Sequence, residues 1–243
     1  MRLTPRGTLD DGRFMLTVET LTDPEGTFDV TVAHGRSDVP GVLFAVGGGG
    51  DPKRHAPLLE ALAAKGHAVV APHFTRIGPA VEEAHLLVRA RRLTQALDAF
   101  VPGARRAVGI GHSIGATTLL ALAGAVPWLG PGRPVAIAPA SRLSKLALLA
   151  PTTGFFRAPG ALQGVAVPLY VHAGSADAIT PPSHAELLRD TLSDRVGVEL
   201  HVTSGAGHFS FMHAPPPGTT EPLADRDAFL GGLVRDLQAF AAS

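Results

Sequence analysis

Hydrophobic and polar residues alternate in two segments near the start of the chain. These segments, 13–21 and 27–34, flank the sequence Thr22-Asp23-Pro24-Glu25-Gly26, which is rich in turn-forming residues. Alternation with a period of two is typical of strands with one buried face, and a short turn between two such strands favours a hairpin. The N-terminal part of the chain is therefore predicted to form an antiparallel hairpin.

From Gly41 onward the pattern changes to short, continuous hydrophobic runs that end at or near Gly or Pro. Such runs suit strands that are covered on both faces, as in a parallel sheet. The strands predicted from these runs are 42–46, 68–71, 107–110, 146–150 and 169–173, and the segment 198–202 also resembles a strand. Hydrophobic residues three or four positions apart lie between these runs, and this spacing predicts helices. The predicted helices are 56–65, 81–100, 114–125, 183–192 and 225–242.

The alternation of strands and helices predicts one α/β domain over residues 1–243. Each predicted helix is long enough to cross over a sheet, so we expect a mostly parallel, doubly wound sheet with antiparallel strands at its N-terminal side. The 28 Gly and 21 Pro residues separate many short elements and are not concentrated in one tract. We find no internal repeat and no linker.

Composition narrows the function classes. The chain has 21 basic and 21 acidic residues, so it lacks the positive surplus of a nucleic-acid-binding protein. No hydrophobic run reaches the length of a membrane span, and Asp10 and Asp11 interrupt the start where a secretory signal would be hydrophobic, so a cytoplasmic location is expected. Cys is absent, which excludes disulfides and thiolate metal sites. No metal, organic cofactor or membrane partner is expected, and nothing in the sequence indicates an oligomer.

A serine stands between a predicted strand and a predicted helix, in Gly111-His112-Ser113-Ile114-Gly115. A G-x-S-x-G sequence in this position is typical of a tight turn that exposes the serine hydroxyl and directs the N-terminus of the helix at it. The alternative is a serine that only caps the helix. The first interpretation predicts Ser113 as a nucleophile.

A nucleophilic serine needs a base, because its hydroxyl reacts poorly until a proton is removed. His208 is the best placed of the 11 histidines, since it follows the strand at 198–202 in a glycine-containing loop. His213 is its nearby competitor, and a surface histidine is the alternative interpretation. Three other histidines are expected to line or flank the site: His73, His112 and His184.

The base in turn needs a carboxylate that orients it. Asp177 lies in the loop that follows the strand at 169–173, at the carboxyl end where open α/β sheets place their sites. An aspartate that only satisfies turn amides is the alternative, and Asp190 and Asp194 are less suitable because they lie within or beyond a helix. The chain order Ser, Asp, His is that of the α/β-hydrolases.

Acyl transfer also requires donors for the oxyanion that develops in the transition state. The Ile114 amide at the start of its helix is one candidate. Gly48 or Gly49 is the second, because four consecutive glycines at 47–50 allow backbone N–H groups to approach a ligand. A phosphate-binding loop is the competing interpretation, although the Gly-Lys-Ser/Thr ending and the G-x-G-x-x-G spacing are both missing.

These motifs, in this order, resemble the α/β-hydrolase superfamily over roughly residues 27–240. The segment 205–211 and the compact size resemble the dienelactone-hydrolase-like and serine-esterase branches. The resemblance implies a Ser-His-Asp hydrolase that works through an acyl-enzyme. Two features depart from the pattern: dienelactone hydrolases use a Cys nucleophile, which this chain lacks, and Val46 precedes the glycine loop where His is common.

The substrate can be bounded by size. The interval between the helix at 114–125 and the next strand is too short for the helical cap of lidded relatives, so a small or medium neutral ester is expected. A hydrophobic substrate pocket is predicted from Phe74, Trp128, Phe155, Phe156, Phe209, Phe211 and Met212. The basic residues Arg89, Arg91 and Arg92 are interpreted as a solvated helix face.

Three hypotheses follow for the function. The first is a serine carboxylesterase that acts on a small-molecule ester. The second keeps the same nucleophile but transfers the acyl group to another acceptor, or cleaves an amide, lactone or C–C bond. The third is a non-catalytic binding protein that retains the scaffold.

Overall fold

The computed structural model describes residues 15–243 except 79 and 104. Its centre is an eight-stranded sheet with the strand order β1-β2-β4-β3-β5-β6-β7-β8. The strands are β1 (Thr17–Asp23), β2 (Gly26–Ala33), β3 (Gly41–Ala45), β4 (Val69–Pro72), β5 (Ala107–His112), β6 (Leu143–Leu149), β7 (Leu169–Gly174) and β8 (Val198–Thr203). The helices are α1 (Ala56–Ala64), α2 (Glu83–Phe100), α3 (Ile114–Leu122), α4 (Ser183–Leu192) and α5 (Arg226–Ala242).

The sheet is mostly parallel, as the sequence predicts. β1 pairs antiparallel with β2 and β2 antiparallel with β4, whereas every neighbouring pair from β4 to β8 is parallel. The carboxyl ends of the parallel strands therefore lie along one edge. The loops that carry the candidate site residues all leave the sheet at this edge.

The two faces of the sheet are covered by different helices. Alternate side chains of β3 illustrate the division: Leu43 and Ala45 pack with the residues of α2, α3 and α4, while Val42 and Phe44 pack with those of α1 and α5. Both faces of the central strands are buried, which explains why their sequences are continuous hydrophobic runs.

Most differences from the predicted elements are at their ends. β6 begins at Leu143, three residues before the hydrophobic run, because its first positions still pair with β5. α3 ends at Leu122, and a turn with a positive φ at Gly124 follows it. A short 3₁₀ turn, Pro52–His55, precedes α1 and was not predicted. The hairpin prediction is confirmed over β1 and β2, although residues 13 and 14 lie outside the described residues.

The basic residues of α2 do not form a solvated face, so that interpretation is wrong. Arg89 is 2% exposed and Arg92 is 9% exposed. Arg92 reaches the buried carboxylate of Asp23 at the end of β1, at 2.8 Å, and Arg91 reaches the same carboxylate at 3.0 Å. Arg89 and Arg92 are thus buried and Arg91 is partly exposed, and oxygen acceptors of the sheet and its loops lie within reach of all three.

Within the described part of the chain, no helix combines the length and the hydrophobicity needed to cross a bilayer.

Candidate active site

Ser113 lies on the turn between β5 and α3. Its φ of 56° and ψ of −124° are rare for a residue with a side chain. The neighbouring glycine makes this turn sterically possible, because a Cβ on Gly115 would lie 2.0 Å from the carbonyl oxygen of Ala45. The Ser113 side chain makes no capping hydrogen bond to α3, which argues against the interpretation as a simple helix cap. Its hydroxyl is instead free to face the loop after β8.

His208 lies on that loop and contacts Ser113. Its Nε2 is 3.0 Å from Ser113 Oγ. The ring of His112 packs beside it with a centroid separation of 4.9 Å, and His112 Nε2 donates to the backbone oxygen of His208 at 3.0 Å. Burial, and then the proximity of His208 and His55, lowers the pKa of His112 well below its usual value. His112 is therefore neutral and holds the backbone of His208 in place.

Asp177 lies on the loop after β7 and contacts the other side of the His208 ring. Its Oδ2 is 2.8 Å from His208 Nδ1. The backbone amides of Ile179 and Thr180 donate to its Oδ1 at 2.8 and 2.7 Å. Burial alone would raise the pKa of Asp177, but the hydrogen bonds and charge of His208, together with the Thr180 donors, lower it below its usual value. The carboxylate is thus ionised and oriented toward the imidazole.

Thr180 is a site residue that the sequence pattern did not single out. Its hydroxyl lies 2.7 Å from Asp177 Oδ2, 3.0 Å from His208 Nδ1 and 3.1 Å from the carbonyl oxygen of Ala150. A threonine three residues after an aspartate is common in loops, so its sequence position gave no signal of this role. Thr152 was also missed: its hydroxyl lies 3.4 Å from Ser113 Oγ.

The glycine loop lies beside Ser113. A Cβ on Gly47 would lie 3.4 Å from the Ser113 Cβ, whereas a Cβ on Gly48 would meet Ile77 and one on Gly49 would meet nothing within 4 Å. The loop is fixed by hydrogen bonds from Gly50 to Gly47 and from Ile77 to Gly48. The amides of Gly48, Gly49 and Ile114 have no acceptor among residues 15–243 as described. These three N–H groups are available to a ligand.

Two of the seven predicted pocket residues line an open cleft. Trp128 and Phe155 form its aromatic walls, and the cleft has a volume of about 410 Å³. It is bordered further by Gly130, Pro131, Gly154, Arg157, Ala158 and Pro159. Phe155 also packs against a small hydrophobic cluster around Ile114. Phe155 thus connects the cleft to the cluster that contains Ile114, the residue after Ser113.

Other predicted pocket residues have packing roles. Phe211 is fully buried against His112, His172 and Phe229, and Phe156 packs in the core, so neither lines an open cleft. Of the remaining three, Phe74 stacks against the guanidinium group of Arg89, Phe209 packs edge-on against His208, and Met212 is buried.

Among the described residues, His208 is the histidine whose ring hydrogen-bonds to Ser113 Oγ. His213 is half-buried, and its Nδ1 has no partner among the described residues. His184 accepts a hydrogen bond from the Thr153 amide at 3.0 Å and so holds the loop after β6, while His73 contacts Thr31 at 2.8 Å. In the described ranges, no group of three or more His, Asp or Glu side chains has the arrangement of a metal site.

The architecture matches that of solved hydrolases. A protein from Agrobacterium tumefaciens described as an α/β hydrolase of unknown function is similar with a TM-score of 0.66 over 92% of this chain and 96% of that one, at 15% sequence identity. The chain has the α/β-hydrolase fold. Two esterases share this α/β-hydrolase fold with it. Esterase 2 of Thermogutta terrifontis, in its form phosphorylated by paraoxon, has a TM-score of 0.65 and 18% identity over 93% of this chain and 94% of that one.

The second esterase that shares this fold is from Pyrococcus furiosus. Its TM-score is 0.64, with 14% identity over 99% of this chain and 94% of that one. Comparison of the sequence with protein-family models and with curated proteins found no match. At these identities the structural similarity shows the α/β-hydrolase fold. The evidence on activity comes from the residues of the candidate site.

Proposed function

We propose that the protein is a serine hydrolase that cleaves small or medium carboxylic esters through an acyl-enzyme. The observation that carries this proposal is the connection of Ser113 Oγ to His208 Nε2 at 3.0 Å and of His208 Nδ1 to Asp177 Oδ2 at 2.8 Å. A serine, an imidazole and a carboxylate joined in this order activate the serine hydroxyl. The α/β-hydrolase fold and its esterase neighbours support the same reaction class.

The reaction follows from the positions of these groups. Ser113 Oγ attacks the ester carbonyl carbon while His208 Nε2 takes the hydroxyl proton, and Asp177 stabilises the imidazolium that forms. The N–H groups of Ile114 and of Gly48 or Gly49 stabilise the tetrahedral oxyanion. His208 then gives its proton to the departing alcohol. Water repeats the sequence on the acyl-enzyme and releases the acid.

The cleft between Trp128 and Phe155 supports a substrate of limited size. Its volume of about 410 Å³ falls in the range of small-molecule sites, and its walls are largely hydrophobic. We assign it to the acyl or alcohol group of the ester. Membership of the dienelactone-hydrolase-like branch remains a prediction. The nucleophile differs, because this chain has a serine at the position where those enzymes carry Cys.

The proposal is tested with p-nitrophenyl esters of increasing acyl length and with a fluorophosphonate probe. Wild-type protein is expected to hydrolyse the shorter esters and to be labelled, whereas Ser113→Ala loses both properties and keeps its circular dichroism spectrum. Turnover is expected to fall by at least about a thousandfold in Ser113→Ala and His208→Ala. His213→Ala is the matched control and should retain turnover.

Two outcomes would contradict the assignment. Labelling of Ser113→Ala at the wild-type rate would exclude Ser113 as the nucleophile, and loss of turnover in His213→Ala alone would exclude His208 as the base. Product analysis in the presence of competing alcohols separates hydrolysis from acyl transfer. Wild-type protein that is neither labelled nor active on esters would favour a binding protein.

A further inference from the structure

Arg89 lies buried beneath the glycine loop and binds it. It is 2% exposed, and it projects from the middle of α2. Its Nη1 donates to the carbonyl oxygen of Val46 at 2.8 Å, and its Nη2 donates to that of Gly47 at 2.9 Å. Its guanidinium group also stacks over the ring of Phe74, at 4.4 Å from the ring centroid. Two carbonyls and one aromatic ring thus fix the guanidinium group.

Burial of this charge is costly, and no carboxylate offsets the cost. Among residues 15–243 as described, Arg89 forms no ion pair, whereas Arg92 on the same helix pairs with Asp23 at 2.8 Å. Burial lowers the pKa of Arg89 to about 10, so the group is still charged at neutral pH. A buried charge without an opposite charge is a poor stabiliser of a fold. Its position therefore requires an explanation other than stability.

Peptide geometry connects Arg89 to the candidate oxyanion donor. The carbonyl of Gly47 and the N–H of Gly48 belong to one planar trans peptide, in which they point in opposite directions. When Arg89 binds the Gly47 oxygen, it therefore fixes the direction of the Gly48 N–H, which points away from α2. Gly47 also lies near Ser113, because a Cβ built on Gly47 would come within 3.4 Å of the Ser113 Cβ. The peptide that Arg89 binds is thus close to the serine.

Arg89 adds to the hydrogen bonds that Gly50 and Ile77 donate to the carbonyl oxygens of this glycine loop. Glycine backbones rotate more freely than those of any other residue, so a run of four has many accessible conformations. An oxyanion donor is effective when its direction is set before the reaction begins. A positive charge on the carbonyl side of the peptide also polarises it and strengthens its N–H as a donor. Val46, the residue before the glycines, has no polar side chain for this purpose.

We propose that Arg89 is a positioning residue that holds the Gly47–Gly48 peptide with its N–H ready to bind the oxyanion formed at Ser113. This inference rests on the proposed esterase function. It predicts that Arg89 helps to stabilise the transition state and has little effect on substrate binding. Loss of Arg89 should therefore lower kcat and leave KM nearly unchanged.

The experiment measures kcat and KM for the best p-nitrophenyl ester in wild type, Arg89→Met, Arg89→Lys and Arg92→Met. Arg89→Met keeps an unbranched side chain about as far as the position of Nε but has no donor, so kcat is expected to fall about a hundredfold with a KM change below about threefold. Arg89→Lys keeps the charge but lacks the fork that binds two carbonyls, so an intermediate kcat is expected. An arylboronic acid, which forms a tetrahedral adduct with the serine, should lose affinity in parallel with kcat/KM.

Arg92→Met is the matched control. Arg92 is also buried on α2 and also stacks on a phenylalanine, with 4.6 Å between its guanidinium carbon and the Phe28 ring centroid. Its loss should lower the melting temperature but leave kcat within about twofold of wild type. Arg89→Met with a wild-type kcat would overturn the proposal. If Arg89→Met does not fold, a wild-type kcat in Arg89→Lys would overturn it instead.

The two proposals fail in distinguishable ways. Wild-type protein that hydrolyses esters while the folded Arg89 variants do so equally well overturns only the role of Arg89. An equal fall in kcat in Arg92→Met also overturns it, since the effect would then come from helix α2 as a whole. Wild-type protein without ester hydrolysis or probe labelling overturns the esterase function, and the role of Arg89 with it.

Discussion

At the residue scale, the Thr180 hydroxyl connects the parts of the candidate triad. It lies within hydrogen-bond distance of Asp177 Oδ2, His208 Nδ1 and the Ala150 carbonyl. A hydroxyl carries one proton, so it donates to one of these groups at a time and accepts from another. It thereby limits the positions that the carboxylate and the imidazole adopt relative to each other.

Substitution of Thr180 by Val is expected to lower kcat about tenfold, because it removes a donor to a charged group while keeping the shape of the side chain. The pKa of Asp177 should rise toward its usual value, since the Thr180 hydroxyl is one of the groups that lower it. Steady-state kinetics on a p-nitrophenyl ester measure the effect. Thr180→Ser restores the hydroxyl and should recover most of kcat, and an unimpaired Thr180→Val would show that the hydroxyl has no part in the reaction.

At the element scale, one carboxylate joins the N-terminal hairpin to helix α2. Asp23 ends β1, its side chain is buried, and it accepts hydrogen bonds from Arg92 and Arg91. The hydrogen bond from Arg92 and the charges of the two arginines hold the pKa of Asp23 below its usual value. Because β1 pairs only with β2 within the described sheet, this contact is a main attachment of the hairpin edge.

Asp23→Ala is expected to lower the free energy of unfolding by about 3 kcal/mol, because it leaves the Arg92 guanidinium buried without its partner. Urea denaturation measures this change, and kcat on a p-nitrophenyl ester should stay near the wild-type value. Asp38→Ala is the control, since Asp38 pairs with Arg36 on the exposed surface and should contribute much less. Equal losses in the two variants would show that burial adds nothing to the Asp23 contact.

At the element scale, the sequence predicts the strands and the meeting of the site loops but not the contacts of Arg89. Hydrophobic periodicity predicts the strands because each central strand is covered on both faces, and loops after parallel strands meet at one sheet edge, which brings Ser113, Asp177 and His208 together. The partner of Arg89 lies 43 residues away in sequence, and no local pattern connects the two. The sequence pattern of α2 also does not separate a buried arginine from a solvated one, because the acceptors of these arginines come from distant segments.

At the scale of the whole molecule, buried histidines make stability depend on pH. His55 is fully buried, and both its ring nitrogens lack partners among the described residues. Burial, with smaller contributions from His213 and Arg54, lowers the pKa of His55 to about 3. Burial, with a smaller contribution from His201, lowers the pKa of His172 to about 4. Both histidines are therefore neutral in the folded protein, and they take up protons near pH 6.5 when it unfolds.

The sign of the pH effect follows from this difference. Below pH 6.5 the unfolded chain binds more protons than the folded chain, so stability falls as the pH is lowered toward the folded pKa values of about 4 and about 3. Each such histidine removes roughly 1.4 kcal/mol per pH unit once the pH is well below 6.5. Asp177, whose pKa is lowered, contributes in the same direction only below about pH 4.

His55→Leu tests this account, because it removes one titrating group and keeps a hydrophobic side chain in the core. The wild type should lose stability between pH 7 and pH 5, and the variant should lose about 2 kcal/mol less over the same interval. Phe44→Leu is the control: Phe44 packs against His55 with 4.8 Å between ring centroids, but it does not titrate. Its substitution should lower stability by similar amounts at both pH values. A His55→Leu variant with the full wild-type loss between pH 7 and pH 5 would mean that His55 binds its proton equally well in the folded protein, contrary to its buried position.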